Sequence, residues 1–220
     1  MQKFDYIERT KCAVTGDAEF ESLFEYDFPL FCGCTDEPKS EDIVARTSFV
    51  ISKPSGVVQL KRLIPLDLLY KNGHDAGSVG ALWEEHHEAF ADFVMGFAPQ
   101  KVLEIGGGHG KLALKCLEKG VCDYSIIEPN STKHEKITYI DGFFGRDKLG
   151  AKYDTIVHSH TFEHIYEPNE FLAQIYDALS GKASTGNERE RERERERDEG
   201  GSSFLCQICK GGLKINSQTA

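Results

Sequence analysis

Glu104-Ile105-Gly106-Gly107-Gly108-His109-Gly110 stands between an apolar run, Val102-Leu103, and a stretch of helical character, Lys111 to Leu117. A strand that ends in an acid and a run of glycines leaves a backbone groove at the start of the following helix. With no side chains in the way, a ligand can lie against bare peptide there. Tyr124-Ser125-Ile126-Ile127-Glu128 is a second apolar run ending in an acid. It falls about 20 residues past the glycine turn, where the second strand of a βαβ unit ends and a carboxylate can accept both hydroxyls of a ribose.

The spacing is Glu-x-Gly-x-Gly-x-Gly. It is not the dinucleotide fingerprint Gly-x-Gly-x-x-Gly, because Lys111 occupies the place of the third glycine. That difference favours S-adenosylmethionine over a nicotinamide dinucleotide.

Around this unit the pattern alternates. Leu82, Trp83, His86, Phe90, Phe93, Val94 and Phe97 recur at helical spacing, and Pro99 stops the helix. Strands are expected at Lys101–Ile105, Tyr124–Glu128, Ile137–Ile140 and Tyr153–Ser159. Pro168-Asn169 opens a further helix with Phe171, Leu172, Ile175, Tyr176 and Leu179 on its apolar face. Alternating β and α elements predict an α/β fold with a doubly wound, mostly parallel, Rossmann-like sheet. Residues 1 to 80, punctuated by Gly16, Pro29, Gly33, Pro38, Pro54, Gly56, Gly73 and Gly77, read as a small loop-rich module. Residues 81–182 read as the cofactor-binding domain.

After Lys182, where a fifth strand is due, the chain instead runs into a strict Glu-Arg alternation from Glu188 to Arg197. Such a tract has no core face to bury, so 183–220 is expected to be a low-complexity tail outside the fold. A purine dinucleotide repeat would encode the same alternation, which suggests a lost reading frame near Lys182.

The chain has 220 residues, 40% hydrophobic and 28% charged, which suits a soluble globular protein. Its net charge of −10 lies wholly before residue 183, since the tail carries as many bases as acids. An acidic body argues against DNA or RNA as partner. No stretch is apolar enough to span a bilayer, and Met1 to Thr10 is charged throughout, so a cytoplasmic protein without a membrane partner is expected. In that setting the seven cysteines read as free thiols or metal ligands.

Taken together, these residues resemble the class I S-adenosylmethionine-dependent methyltransferases. Within that group they are similar to the branch with an N-terminal zinc-binding module that methylates sugars, often nucleotide-linked, at carbon or oxygen. The matching pieces are Gly56–Leu60, Pro65–Tyr70, His74–Gly80, Trp83–His87, Val102–Gly110, Ile126–Asn130 and His158–Pro168. The resemblance implies that Glu104 and the backbone of Gly106, Gly108 and Gly110 hold the methionine end of S-adenosylmethionine, and Glu128 the ribose. Asp141 and Phe143 would face the adenine, and Ser159 and His160 would border the methyl group.

Two departures accompany the match. The module's two Cys-x-x-Cys pairs fall on Cys12 and Thr15, and on Ser52 and Ser55. Three of the four thiolates are thus hydroxyls, which are poor zinc ligands, so no structural zinc is expected. Cys32-Gly33-Cys34 offers no evident fourth ligand, and Cys206-Gln207-Ile208-Cys209 has no partner pair. The second departure is that strands one to four supply the order 3-2-1-4 alone. Later strands are missing, and strand four is left as an unpaired edge.

Methyl transfer from a sulfonium is an in-line displacement that also needs a base for the acceptor. His160, at a strand end, is the first candidate. His74 and Tyr70 follow, in a segment that the resemblance folds over the active site. His86 and His87 are adjacent, point to different helix faces and read as surface or packing. The expected function is methyl transfer to a small-molecule sugar. A truncated, non-catalytic cofactor-binding remnant is the alternative.

Overall fold

The computed structural model describes residues 4–30, 38, 43–70, 80–129, 131–145 and 149–179, with the backbone of two short strands at 203–207 and 214–216. The chain forms two compact units, Met1–His74 with Tyr166–Asn169, and Asp75–Ile165 with Glu170–Ala220.

The first unit is built from strands rather than the expected loops. β1 (Ile7–Glu8) pairs antiparallel with β5 (Arg62–Leu63), and β2 (Phe20–Pro29), β3 (Val44–Ser52) and β4 (Val58–Leu60) form an antiparallel sheet in that order. A short helix, α1 (Leu66–Leu69), follows. Gly16, Pro29, Pro54 and Gly56 fall at turns or a strand end, and in β3 the pattern has period two. In β3, Ser48, Val50 and Ser52 are buried while Thr47, Phe49 and Ile51 are half-buried. On β2, Phe24 stacks on Phe49 of β3 at 4.8 Å, and Glu25 and Asp27 share Arg46 at 3.4 and 3.2 Å.

The second unit follows the expected alternation. Its elements are α2 (Ala81–Met95), β6 (Lys101–Ile105), α3 (Lys111–Glu118), β7 (Asp123–Ile127), β8 (Thr138–Ile140), β9 (Thr155–Ser159), α4 (Pro168–Leu179), β10 (Ser203–Gln207) and β11 (Lys214–Asn216). The sheet order is β11-β10-β9-β6-β7-β8. Strands β8-β7-β6-β9 are parallel and reproduce the order 3-2-1-4. The edge differs from expectation. β10 lies parallel beside β9, pairing Ser203 with Thr155 through Gln207 with Ser159, and β11 adds antiparallel to β10. Strand four is therefore paired, and 183–220 contributes two strands to the sheet. The reason is physical: backbone ladder bonds need no long apolar pattern, so the short run Ser203–Gln207, beyond the charged tract, suffices to satisfy the edge.

Apolar side chains cover both sheet faces. Val102, Leu112, Ala113, Cys116, Tyr124, Ile126 and Val157 pack with Phe90, Ala91 and Val94 of α2 on one side. Leu103, Ile105, Ile127 and Ile156 pack with Phe171 and Ile175 of α4 on the other. The α4 face is narrower than its periodicity implies, since Leu172 and Tyr176 are 39% and 46% exposed.

Candidate functional site

The site forms at the carboxyl ends of β6, β7, β8 and β9, where parallel sheets receive ligands. From β6 the chain turns through Gly106, Gly108 and Gly110, with φ of 76°, 50° and 71°. Two of these positions have no room for a side chain. A Cβ on Gly106 would stand 2.6 Å from Thr161 Oγ1, and one on Gly110 would stand 2.9 Å from Ile137 Cδ1. Gly110 then caps the N-terminus of α3 in the left-handed conformation. The turn is pinned to the neighbouring strand by the Gly106 amide, which donates to the Ile127 carbonyl at 3.0 Å. It therefore opens beside Glu128, the next residue.

Glu104 is 5% exposed and lies under this turn, since a Cβ on Gly107 would meet its Cδ at 2.8 Å. Tyr124, 1% exposed on β7, donates its hydroxyl to Glu104 Oε2 at 3.1 Å. Burial raises the Glu104 carboxyl to about 7, Tyr124 works against that, and the nearby Glu128 charge adds to it. The Tyr124 hydroxyl is itself driven well above its ordinary value, first by burial and then by the Glu104 charge.

The Glu128 amide donates to the Ile140 carbonyl at 3.2 Å, which sets the end of β8 alongside. Asp141 follows it, exposed and held by Lys133 at 2.6 Å, and Phe143 is half-buried two residues on. His109 Nδ1 lies 2.8 Å from Thr132 Oγ1, so the segment after Glu128 folds back over the glycine turn.

At the end of β9 a short 3-10 turn, Phe162–His164, follows His160 and Thr161. Thr161 Oγ1 donates to the carbonyls of Ile105 and Ser159, each at 3.1 Å, and ties the ends of β6 and β9 together. His160 has a φ of 54°, a left-handed conformation rare for a residue with a side chain. Its ring lies 4.9 Å from that of Trp83 and 5.5 Å from that of His86. His86 Nε2 is 3.3 Å from Ser159 Oγ. Burial, then the neighbouring His160, hold His86 below its ordinary value, so it is neutral at pH 7 and able to accept a proton.

Glu104, the three glycines, Glu128, Asp141, Phe143, Ser159 and His160 thus lie along one sheet edge. Tyr70 is half-buried at the end of α1 in the first unit, and His74 lies outside the described residues. His86 is half-buried and packs against the rings of Trp83, Phe90 and His160, with Ser159 also within reach. Trp83, one of the residues at helical spacing on α2, is half-exposed in the same cluster. Tyr124 and Thr161 join the site without any motif that singles them out. A tyrosine in a buried strand is a readable signal, since its hydroxyl needs a partner; Thr161 carries none.

In the first unit the four zinc-module positions are tied up in hydrogen bonds. Cys12 Sγ lies 3.5 Å from Ser55 Oγ and receives Gln59 Nε2 at 3.3 Å. Ser55 donates to Ser52 at 2.8 Å, Ser52 donates to Asp17 at 3.0 Å, and Thr15 also donates to Asp17. Burial raises the Cys12 thiol, yet bonds from Thr15, Ser55 and Gln59 outweigh it and bring the thiol down to about 6. Among the described residues no group of three or more His, Cys, Asp or Glu is placed to hold a metal ion. Cys32, Cys34 and Cys209 lie outside the described residues. No helix of the described residues is long and apolar enough to cross a membrane.

Residues 81–184 match the family described as a methyltransferase domain. An uncharacterized methyltransferase of Geobacillus sp. (strain WCH70) is 35% identical over 118 residues, 46% of this chain and 55% of that protein. The match thus spans about half the length of that relative. Among solved structures, the CcbJ methyltransferase from Streptomyces caelestis is similar with a TM-score of 0.43 and 20% identity, over 60% of this chain and 55% of that one. The glycopeptide N-methyltransferase MtfA complexed with S-adenosylmethionine gives 0.40 and 16%, over 55% and 53%. The four parallel strands and the glycine turn between two acids fall within the residues that are similar to this methyltransferase-domain family.

Proposed function

We propose that this chain transfers the methyl group of S-adenosylmethionine to a sugar or nucleotide-linked sugar, at carbon or oxygen. The observation that carries the reading is a buried carboxylate under a glycine turn with a second carboxylate beside it. In this reading Glu104 and the backbone of Gly106, Gly108 and Gly110 receive the methionine end, and Glu128 accepts the ribose hydroxyls. Asp141 and Phe143 border the adenine, and Ser159 and His160 border the methyl group. S-adenosylmethionine, when bound, would supply a methyl group that the acceptor takes in line, with the sulfur released as a neutral thioether. A proton leaves the acceptor in the same reaction, and His160, with His86 beside it, is the group to take it. The sugar rests on the resemblance carried by the N-terminal pieces, Gly56–Leu60 and Pro65–Tyr70, with Tyr70 and His74 as further candidate residues for the acceptor.

Calorimetric titration with S-adenosylhomocysteine tests the cofactor half. We expect saturable binding that Glu128→Ala weakens at least tenfold; no binding by a folded wild-type chain would sink the reading. Transfer of labelled methyl to a panel of nucleotide-linked sugars tests the acceptor. A chain that binds the cofactor and methylates none of them would favour the non-catalytic alternative.

A further inference from the structure

We infer that Tyr124 is a positioning residue for the cofactor, one that fixes the Glu104 carboxylate under the glycine turn and makes cofactor capture release a proton. The inference rests on the methyltransferase reading for the identity of the ligand, and on geometry for the rest. Val102 pairs with Tyr124 across β6 and β7, and Glu104 with Ile126, so Tyr124 and Glu104 are diagonal neighbours on one sheet face. Both are buried and joined at 3.1 Å. The carboxylate fills the space that a side chain on Gly107 would take, since a Cβ there would stand 2.8 Å from its Cδ.

A carboxylate in such a place resists ionisation, and the groups facing it decide by how much. From β7, Tyr124 favours the charged form through its hydrogen bond, while Glu128 just beyond the strand opposes it. From α3, buried Cys116 is pushed up to about 12, by burial first and then by the Glu104 charge, so it stays a neutral thiol. From β8, Tyr139 also feels the Glu104 charge and stays neutral, raised first by burial. With its carboxyl raised to about 7, Glu104 holds a proton far more readily at neutral pH than an ordinary glutamate does. The cofactor brings a cationic amino group. It binds the carboxylate form, and the carboxyl proton passes to solvent. Affinity therefore rises with pH up to about 7 and levels off above it. Removing the Tyr124 hydroxyl takes away the contact that favours the charged form, so the rise moves to higher pH.

The test has two arms on the full chain, each with wild type and Tyr124→Phe. Carbon NMR of glutamate carboxyl groups, with the Glu104 signal assigned by Glu104→Gln, follows the free protein from about pH 5.5 to 8.5. Titration with S-adenosylhomocysteine covers the same range. We expect Glu104 to titrate near neutrality in wild type and higher in Tyr124→Phe. The variant should bind several-fold more weakly at about pH 6.5 and recover most of that at about pH 8.5. A Glu104 signal that titrates in the ordinary carboxylate range, or a variant that binds like wild type at every pH, overturns the inference. A folded wild-type chain that shows the neutral titration but binds no S-adenosylhomocysteine instead overturns the methyltransferase reading, and the ligand role of Tyr124 with it. An unchanged amide spectrum in Tyr124→Phe separates either result from misfolding.

Discussion

His160 carries the sharpest tension between fold and site. Its left-handed backbone costs about 1–2 kcal/mol for a residue with a Cβ, and glycine would adopt it freely. The structure retains a histidine there, in ring contact with Trp83 and His86 at the end of β9. If that histidine serves catalysis, stability and activity will separate. Chemical denaturation should find His160→Gly more stable than His160→Ala by about 1 kcal/mol. Methyl transfer should be lost in both. Retained transfer in either variant would move the base elsewhere in the cluster, with His86 next in line.

The pair of turns in the first unit shows what an element does when its expected metal ligands are replaced. Gly16 N bonds Cys12 O at 2.9 Å, and Gly56 N bonds Ser52 O at 2.8 Å, so the two turns have the same internal closure. What joins them is the chain from Cys12 through Ser55 and Ser52 to Asp17. Ser52 is fully buried, and losing its hydroxyl leaves Ser55 and Asp17 short of a partner. Ser52→Ala is therefore expected to cost about 1–3 kcal/mol in a urea melt, with the chelator-treated wild type unchanged. A chelator that lowers the melting temperature would instead reveal a metal at these turns. The Asp17 carboxyl is held below its ordinary value, by Thr15 first and despite some burial, with Ser52 contributing. Its contribution is present above the usual carboxylate range and fades as pH falls through its lowered value, so the Ser52→Ala deficit should shrink in acid.

At the scale of the whole molecule, the six-stranded sheet rests on a segment that looks unfit for it. β10 covers the outer side of β9 from Thr155 to Ser159, the strand that leads into the candidate methyl side of the site. Deleting 183–220 is expected to bare that edge. Hydrogen exchange of the β9 amides should then quicken at least tenfold, and the shortened chain should self-associate in size-exclusion runs. Unchanged exchange would mean that β10 does not protect β9 in solution. The alternation of elements is legible in the amino-acid pattern because each element leaves a local trace, whereas the order 3-2-1-4 and the candidate site residues from Glu104 to His160 came from the resemblance. The strand content of the first unit is harder to see, since prolines and glycines at turns mask a period-two pattern within the strands.

From the sequence alone came the cofactor-binding half: apolar runs ending in acids, glycines at the turn, and a Lys where a dinucleotide site needs glycine. Those features are encoded within a few neighbouring residues, so spacing is enough to read them. Tertiary structure decided which side chains meet across strands. It put Tyr124 on Glu104, Thr161 across Gly106, and His86 beside His160, each pair separated by some 20 residues or more. Burial raised the Glu104 carboxyl, and backbone pairing gave β9 its neighbour. Desolvation and ladder hydrogen bonds depend on what the folded chain brings close, and no local pattern records them.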